Sequence, residues 1–289
     1  KRIWTGGTER GCIEAPHLTK KNGYYYLMCA EGGTGYNHCV TMAREKDIWG
    51  PYEGDPRNPI VTSVPGYSYE RHDPDHLKPK YFNPDSPLQK AGHGSYVETP
   101  QGEVYLFHLC SRPFVPELRC TLGRETAVQK MTWTEDGWLR MADGTNLAKV
   151  EVPESTLPEC PFPDIPEYDD FDSDELGIYY YAPRQMPSSF ASVTARKGYV
   201  RIRGEESGTS LNRASILARK LTSVHVRVTT KMDFIPEVYQ HSAGLIMYYD
   251  NMNFIYLRKY YSGTLEQSAL SVLQLENGVR TEYLDTRTP

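Results

Sequence analysis

Ile13-Glu14-Ala15-Pro16-His17-Leu18-Thr19-Lys20-Lys21-Asn22-Gly23-Tyr24-Tyr25-Tyr26-Leu27-Met28-Cys29-Ala30 reads as strand, turn and strand. Asn-Gly is the pair a two-residue hairpin turn demands, because both central residues must take positive φ, and the tyrosine-rich apolar run behind it suits a buried strand. The pattern returns further on. Glu14 precedes Gly23 by nine positions; His93 precedes Gly102 by nine, and Val104-Tyr105-Leu106-Phe107-His108-Leu109 follows. Thr41-Met42-Ala43-Arg44-Glu45 then mirrors Thr121-Leu122-Gly123-Arg124-Glu125, which predicts a third strand in each unit. A fourth is expected near Trp49-Gly50-Pro51-Tyr52 and near Met131-Thr132-Trp133. Tandem four-stranded units are the sequence form of propeller blades.

Between the two units, residues 55–88 are rich in Pro, Tyr, His and Asp and read as a long insertion of the kind that shapes a site. Two blades cannot close a ring, which takes about four to eight, so further blades are expected from the same gene product or from a partner chain. Pro153, Pro158, Pro161, Pro163 and Pro166 disfavour regular structure and predict a stiff linker over 151–167. It separates a partial propeller over 1–150 from a second domain over 168–289. In that domain Gly198-Tyr199-Val200-Arg201-Ile202-Arg203, Val224-His225-Val226-Arg227-Val228-Thr229 and Ala243-Gly244-Leu245-Ile246-Met247-Tyr248-Tyr249 carry strand patterning, and no helix interrupts them. The expectation is a β-sandwich that lacks a closing strand after Tyr283 and is incomplete at its C-terminus.

The totals exclude some functions. A chain of 289 residues has room for two cores. A net charge of −5 and a pI of about 5.9 offer no basic surplus to hold a phosphate backbone, so nucleic acid is not an expected partner. No apolar run reaches the roughly 18 residues of a membrane span. Cys12, Cys29, Cys39, Cys110, Cys120 and Cys160 show no C-x-x-C spacing; they are expected to be mostly buried thiols, which leaves a reducing, cytoplasmic compartment as the default.

Glu14 is the residue on which chemistry is expected. It opens the first strand of a blade, the strand that lines a propeller's central channel, and a carboxyl kept partly from water can hold a proton for a leaving oxygen. The repeat sets His93 at the matching inward position. The acidic, histidine-containing run Arg71-His72-Asp73-Pro74-Asp75-His76 has metal-ligand types but reads as a solvated loop. Gly32-Gly33-Thr34-Gly35 lacks the lysine and helix of a phosphate loop.

Together, Glu14-Ala15-Pro16-His17-Leu18, Ala30-Glu31-Gly32-Gly33-Thr34, Gly92-His93-Gly94-Ser95, Leu122-Gly123-Arg124-Glu125-Thr126 and Asp169-Asp170-Phe171-Asp172 resemble glycoside hydrolase family 43, in particular its bacterial β-xylosidases with a C-terminal sandwich. The resemblance implies an all-β chain holding the C-terminal blades of a five-bladed β-propeller followed by a concanavalin-like β-sandwich. It implies release of xylose, or arabinose, with inversion from the non-reducing end of xylo-oligosaccharides. Glu14 matches the general acid; Thr34, His93 and Arg124 match positions at the sugar. No cofactor is required, and a structural calcium ion beside the channel histidine is the one companion the resemblance allows. The water-activating Asp and a second Asp that tunes the acid match nothing here and are expected in upstream blades; Asp73, Asp75 and Asp85 are not put in their place. The alternatives are a sugar-binding chain without catalysis and an endo-acting, arabinanase-like relative.

Overall fold

The computed structural model describes residues 1–65 and 81–285, so the run Arg71–His76, Asp73 and Asp75 included, lies outside the described residues. The chain divides into two compact units, Lys1–Pro161 and Phe162–Pro289, and the division falls inside the proline-rich stretch. Among the described residues all regular structure is strand except a 3-10 turn at Pro187–Ser189, and no helix is long and apolar enough to cross a membrane.

Unit 1 is two antiparallel sheets. The first runs β1 (Glu14–Lys21), β2 (Tyr24–Glu31), β3 (Cys39–Glu45) and β4 (Glu53–Gly54), with β5 (Val61–Thr62) on the other end of β3. The second runs β6 (Gln89–Glu98), β7 (Val104–Ser111), β8 (Glu125–Trp133) and β9 (Leu139–Met141). Each is a blade in sequence order, and side chains of both sheets, among them Met28, Val40, Met42, Leu106, Met131 and Leu139, fill one core.

Several expected boundaries move. Asn22 and Gly23 both take positive φ (49° and 83°), as the two-residue turn requires, but the second hairpin turns on Gly102 alone (φ 83°), within a longer loop closed by the Thr99 N–H on the Glu103 carbonyl (2.8 Å). Thr121–Arg124 is turn, not strand: Gly123 takes φ 74° and its N–H reaches the Cys120 carbonyl. The third strand therefore starts at Glu125 and ends on Met131–Trp133, and the fourth is Leu139–Met141, three fully buried residues. In the first blade the Asp47–Gly50 turn and Pro51, which has no N–H to give a ladder, delay the fourth strand to Glu53.

Polar ties join the sheets at their rims. The Tyr26 hydroxyl donates to the Gly137 carbonyl (2.7 Å), Arg44 reaches the carbonyls of Asp136 and Gly137, and Thr19 meets Tyr96 (2.8 Å). Asp55 and Arg140, both buried, form a two-pronged ion pair. After the second blade the chain returns to the first, where the Thr62 N–H donates to the Asn146 carbonyl and the Thr62 carbonyl accepts from the Ala148 N–H.

Unit 2 is built on a four-stranded meander, β12 (Ser242–Asp250), β13 (Asn253–Ser262), β14 (Gln267–Glu276) and β15 (Val279–Asp285), with a small pair, β10 (Ala191–Ser192) and β11 (Arg201–Ile202). The expected strand at 243–249 is β12. Of 198–203 only Arg201–Ile202 is strand, and 224–229 is exposed and has no ladder partner, so patterning alone does not make it one. β15 pairs with β14 through Tyr283 to Asp285, which overturns the expectation of no strand there, while residues 286–289 lie outside the described residues. The fold is all-β, propeller blades followed by a sandwich-type domain.

Candidate active site

Glu14 is the first residue of β1 and pairs with Ala30, after which the ladder slips and resumes only at His17 opposite Met28. The cause is local. Pro16 cannot donate to the ladder, and Ala15 takes φ 50°, so two residues bulge out where one would pair. Glu14 is exposed and makes no hydrogen bond or ion pair among the described residues, so these residues do not shelter the carboxyl as a buried acid would be sheltered.

His93 sits on the matching bulge of β6. Register is lost between Gly92, opposite Leu109, and Ser95, opposite Phe107, and His93 takes φ 55°. Both flanking glycines are demanded by contact. A Cβ on Gly92 would lie 2.4 Å from the His38 ring, and one on Gly94 would lie 2.9 Å from Val40. With its backbone pressed onto the core, the strand turns the His93 side chain outward. Bulge matched to bulge, the partner of Glu14 is Gly92 and His93 corresponds to Ala15, so the sequence equivalence of Glu14 with His93 is one residue out. The longer second hairpin loop is the reason. His93 still approaches the Glu14 strand: its ring lies 6.5 Å from that of His17.

Thr34 is exposed in the β2–β3 turn, close in the fold to Glu14, since the Gly32 N–H donates to the Gly11 carbonyl (2.8 Å), three residues before the acid. Arg124 is exposed in the bend before β8 and has no hydrogen bond or ion pair among the described residues, so its guanidinium is free to meet hydroxyls. Arg124 and His93 both lie close enough to act electrostatically on His38. The four residues stand on bulges and turns at blade ends, and among the described residues no hydrogen bond or ion pair joins Glu14 to Arg124.

Behind them lies a buried polar layer that sequence reasoning missed. Glu31, 1% exposed, accepts from the N–H groups of Gly7 (2.6 Å) and Thr8 (3.0 Å) and from the hydroxyls of Thr8 and Thr41. Arg10 donates to the carbonyls of Asn37 (3.0 Å) and Val64 (2.8 Å) and to the Thr62 hydroxyl (2.8 Å). These contacts clamp the segment leading to Glu14 onto the loop that carries Thr34. His38 is fully buried, and its Nδ1–H donates to the Lys90 carbonyl (3.1 Å). Burial pushes this imidazole down to about 4, and the charges of His93, His108 and Arg124 act in the same direction. The only hint in the sequence was polar residues inside an otherwise apolar run, Gly35-Tyr36-Asn37-His38-Cys39-Val40.

Among the described residues no three His, Cys, Asp or Glu side chains converge as metal ligands. The His17 ring lies 6.5 Å from that of His93, and no step below uses an ion. The cysteines are all free; Cys29, Cys39 and Cys110 are buried, but Cys12 and Cys160 are exposed and Cys120 is half-buried, so the expectation of mostly buried thiols holds for three. A cavity of 2700 Å³ lies within unit 2 and contains none of the site residues. It is an open hollow over the meander, and the blade-end geometry is the better guide to chemistry.

The family model for glycosyl hydrolases family 43 matches residues 1–139, and that for the β-xylosidase C-terminal concanavalin A-like domain matches residues 168–288. A xylan 1,3-β-xylosidase of a Vibrio species is 37% identical over 96% of this chain and 50% of its own length. A β-xylosidase of Bacillus subtilis strain 168 is 38% identical over 87% of this chain and 46% of its own. The crystal structure of a xylan β-1,4-xylosidase from Bacillus halodurans C-125 superposes with a TM-score of 0.86 at 44% identity, covering 99% of this chain and 51% of that one. The chain thus spans about half the length of the relatives it matches. The all-β fold and the second domain agree with these matches, and the chain belongs to glycoside hydrolase family 43, in the group that carries the β-xylosidase type of C-terminal domain.

Proposed function

We propose that this chain supplies the general acid and part of the sugar pocket of an exo-acting glycosidase that releases xylose from the non-reducing end of xylo-oligosaccharides with inversion. The observation that carries the reading is the carboxyl of Glu14, set on a bulge at the end of an inner strand with no partner among the described residues, so that it can face a leaving oxygen, while the shelter that lets it keep a proton comes, in this reading, from further blades. Thr34, His93 and Arg124 offer a hydroxyl, an imidazole and a guanidinium on neighbouring blade ends and would bind sugar hydroxyls. The relatives, named as β-xylosidases, support the substrate class.

Inversion needs a second carboxylate about 6.5–9.5 Å from the acid to activate water. Glu31 is not it, being wholly engaged with four donors. In this reading the base comes from further blades, of the same polypeptide or of a partner chain. Glu14→Gln in the full-length protein should lower turnover of xylobiose by about 10²–10⁴, the usual worth of a general acid. Nitrophenyl xyloside, whose leaving group needs little protonation, should suffer far less. Equal turnover of xylobiose by both proteins removes Glu14 from the mechanism.

That no base is assigned among the described residues favours a second reading, a chain that binds sugar without cutting it. Titration calorimetry with xylobiose separates the two: this second reading requires binding heat and intact disaccharide recovered afterwards.

A further inference from the structure

His38 lies at the back of the site without touching its open face. It is fully buried, its Nδ1–H holds the Lys90 carbonyl, and its ring occupies the space that Gly92 leaves by lacking a Cβ. Lys90 is itself at φ 58°, on the first of two register slips in β6, and His93 is on the second. One side chain from the Thr34-bearing connection therefore braces both irregularities that turn His93 outward. Its Nε2 has no hydrogen-bond partner among the described residues, and the charged or titratable groups that act on it are His93 on β6, His108 on β7 and Arg124 before β8. His108 does not share this role: its Nδ1 faces the Leu109 carbonyl and its Nε2 accepts from Gln129, which leaves it tied to its own sheet.

We propose that His38 is a positioning residue for the sugar pocket, its buried imidazole pinning the Lys90 carbonyl and seating Gly92 so that the β6 bulge presents His93 to substrate. The proposal rests on the reading of unit 1 as a glycosidase pocket, which it deepens. A role in folding alone would lower the melting temperature and leave KM where it was. A positioning role moves KM in a protein that still melts cooperatively, because a displaced His93 weakens sugar binding in the ground state and transition state alike.

Two variants separate the ring from its donor. His38→Phe keeps the ring and loses the N–H; His38→Asn keeps an N–H donor near the position of Nδ1 and loses the ring. With full-length protein and nitrophenyl xyloside, His38→Phe is expected to raise KM about tenfold with kcat nearly unchanged, and His38→Asn to recover part of that rise. The His93 ring resonance in NMR spectra should move in His38→Phe and return toward its wild-type position in His38→Asn. In the unmodified protein the nitrogen signals of His38 should report a proton on Nδ1, a readout that requires no variant to fold. An Nε2-protonated His38, or a His93 resonance unmoved in either folded variant, overturns the proposal. If Glu14→Gln leaves xylobiose turnover intact, the glycosidase reading falls, while the His38 tautomer and the His93 resonance still decide this one.

Discussion

Removing Asp55 should cost unit 1 much of its stability, and the structure indicates how much. The Asp55 side chain is fully buried and that of Arg140 is 4% exposed. Both carboxylate oxygens face the guanidinium, with Nη2 2.6 Å from Oδ1, and Oδ1 also accepts the Arg57 N–H (2.8 Å). Asp55 follows the last strand of one blade and Arg140 lies in the last strand of the next, so the pair latches blade to blade. In Asp55→Ala the guanidinium stays buried with, among the described residues, only the Leu139 carbonyl to accept a hydrogen bond from it. Breaking a buried pair by removing one partner costs about 3–5 kcal/mol, because the remaining charge is uncompensated. For a unit of this size about 2–4 °C is lost per kcal/mol, which puts the fall in Tm at roughly 6–20 °C. The assay is tryptophan fluorescence, excited selectively over tyrosine, during urea or thermal unfolding: all four tryptophans, Trp4, Trp49, Trp133 and Trp138, belong to unit 1, so within this chain the signal reports that unit. The double variant Asp55→Ala/Arg140→Met should recover much of the loss by removing the stranded charge. A single variant within about 1 kcal/mol of wild type would refute the reasoning, since it would mean that Arg140 finds water or another partner at little cost.

Stability should fall with acid well above the carboxylate range. His38 has its pKa pushed down to about 4 by burial, against an ordinary value of about 6.5, so between those values the unfolded chain binds a proton that the folded one refuses. Its contribution to stability is complete above pH 6.5 and is lost as pH drops toward 4; urea midpoints at pH 7 and pH 5 measure the slope, and a His38→Asn variant with the same slope as wild type would contradict it. His108 is shifted in the same direction by burial and adds to the effect. Thiol reagent should modify Cys12 and Cys160 quickly in the native protein and Cys120 more slowly. Cys29 and Cys39, pushed up to about 12 by burial, and Cys110, pushed up to about 11, should react only on unfolding; rapid modification of four or more thiols would show that the blade core opens.

What could be read from the chain by itself was whatever is local. Asn22-Gly23 specifies its turn through the two residues' own backbone preferences, and Glu14 stood out as a carboxylate opening the strand that this turn closes. Family resemblance came from the same short strings. Elements that depend on a distant partner could not be read this way. The alternating run at 224–229 has no neighbour to pair with and stays irregular, whereas β15, unremarkable in sequence, is made a strand by β14. The one-residue slip between Glu14 and His93 is set by how each hairpin closes and where each bulge meets the core, which spacing does not record. The burial of Glu31, Arg10 and His38 could not be read, because nothing in their immediate neighbours says that Thr8, Val64 or Lys90 will arrive to satisfy them. Asp55 and Arg140 are 85 residues apart, and only tertiary packing, which removes both from water at one point, makes a pair of them.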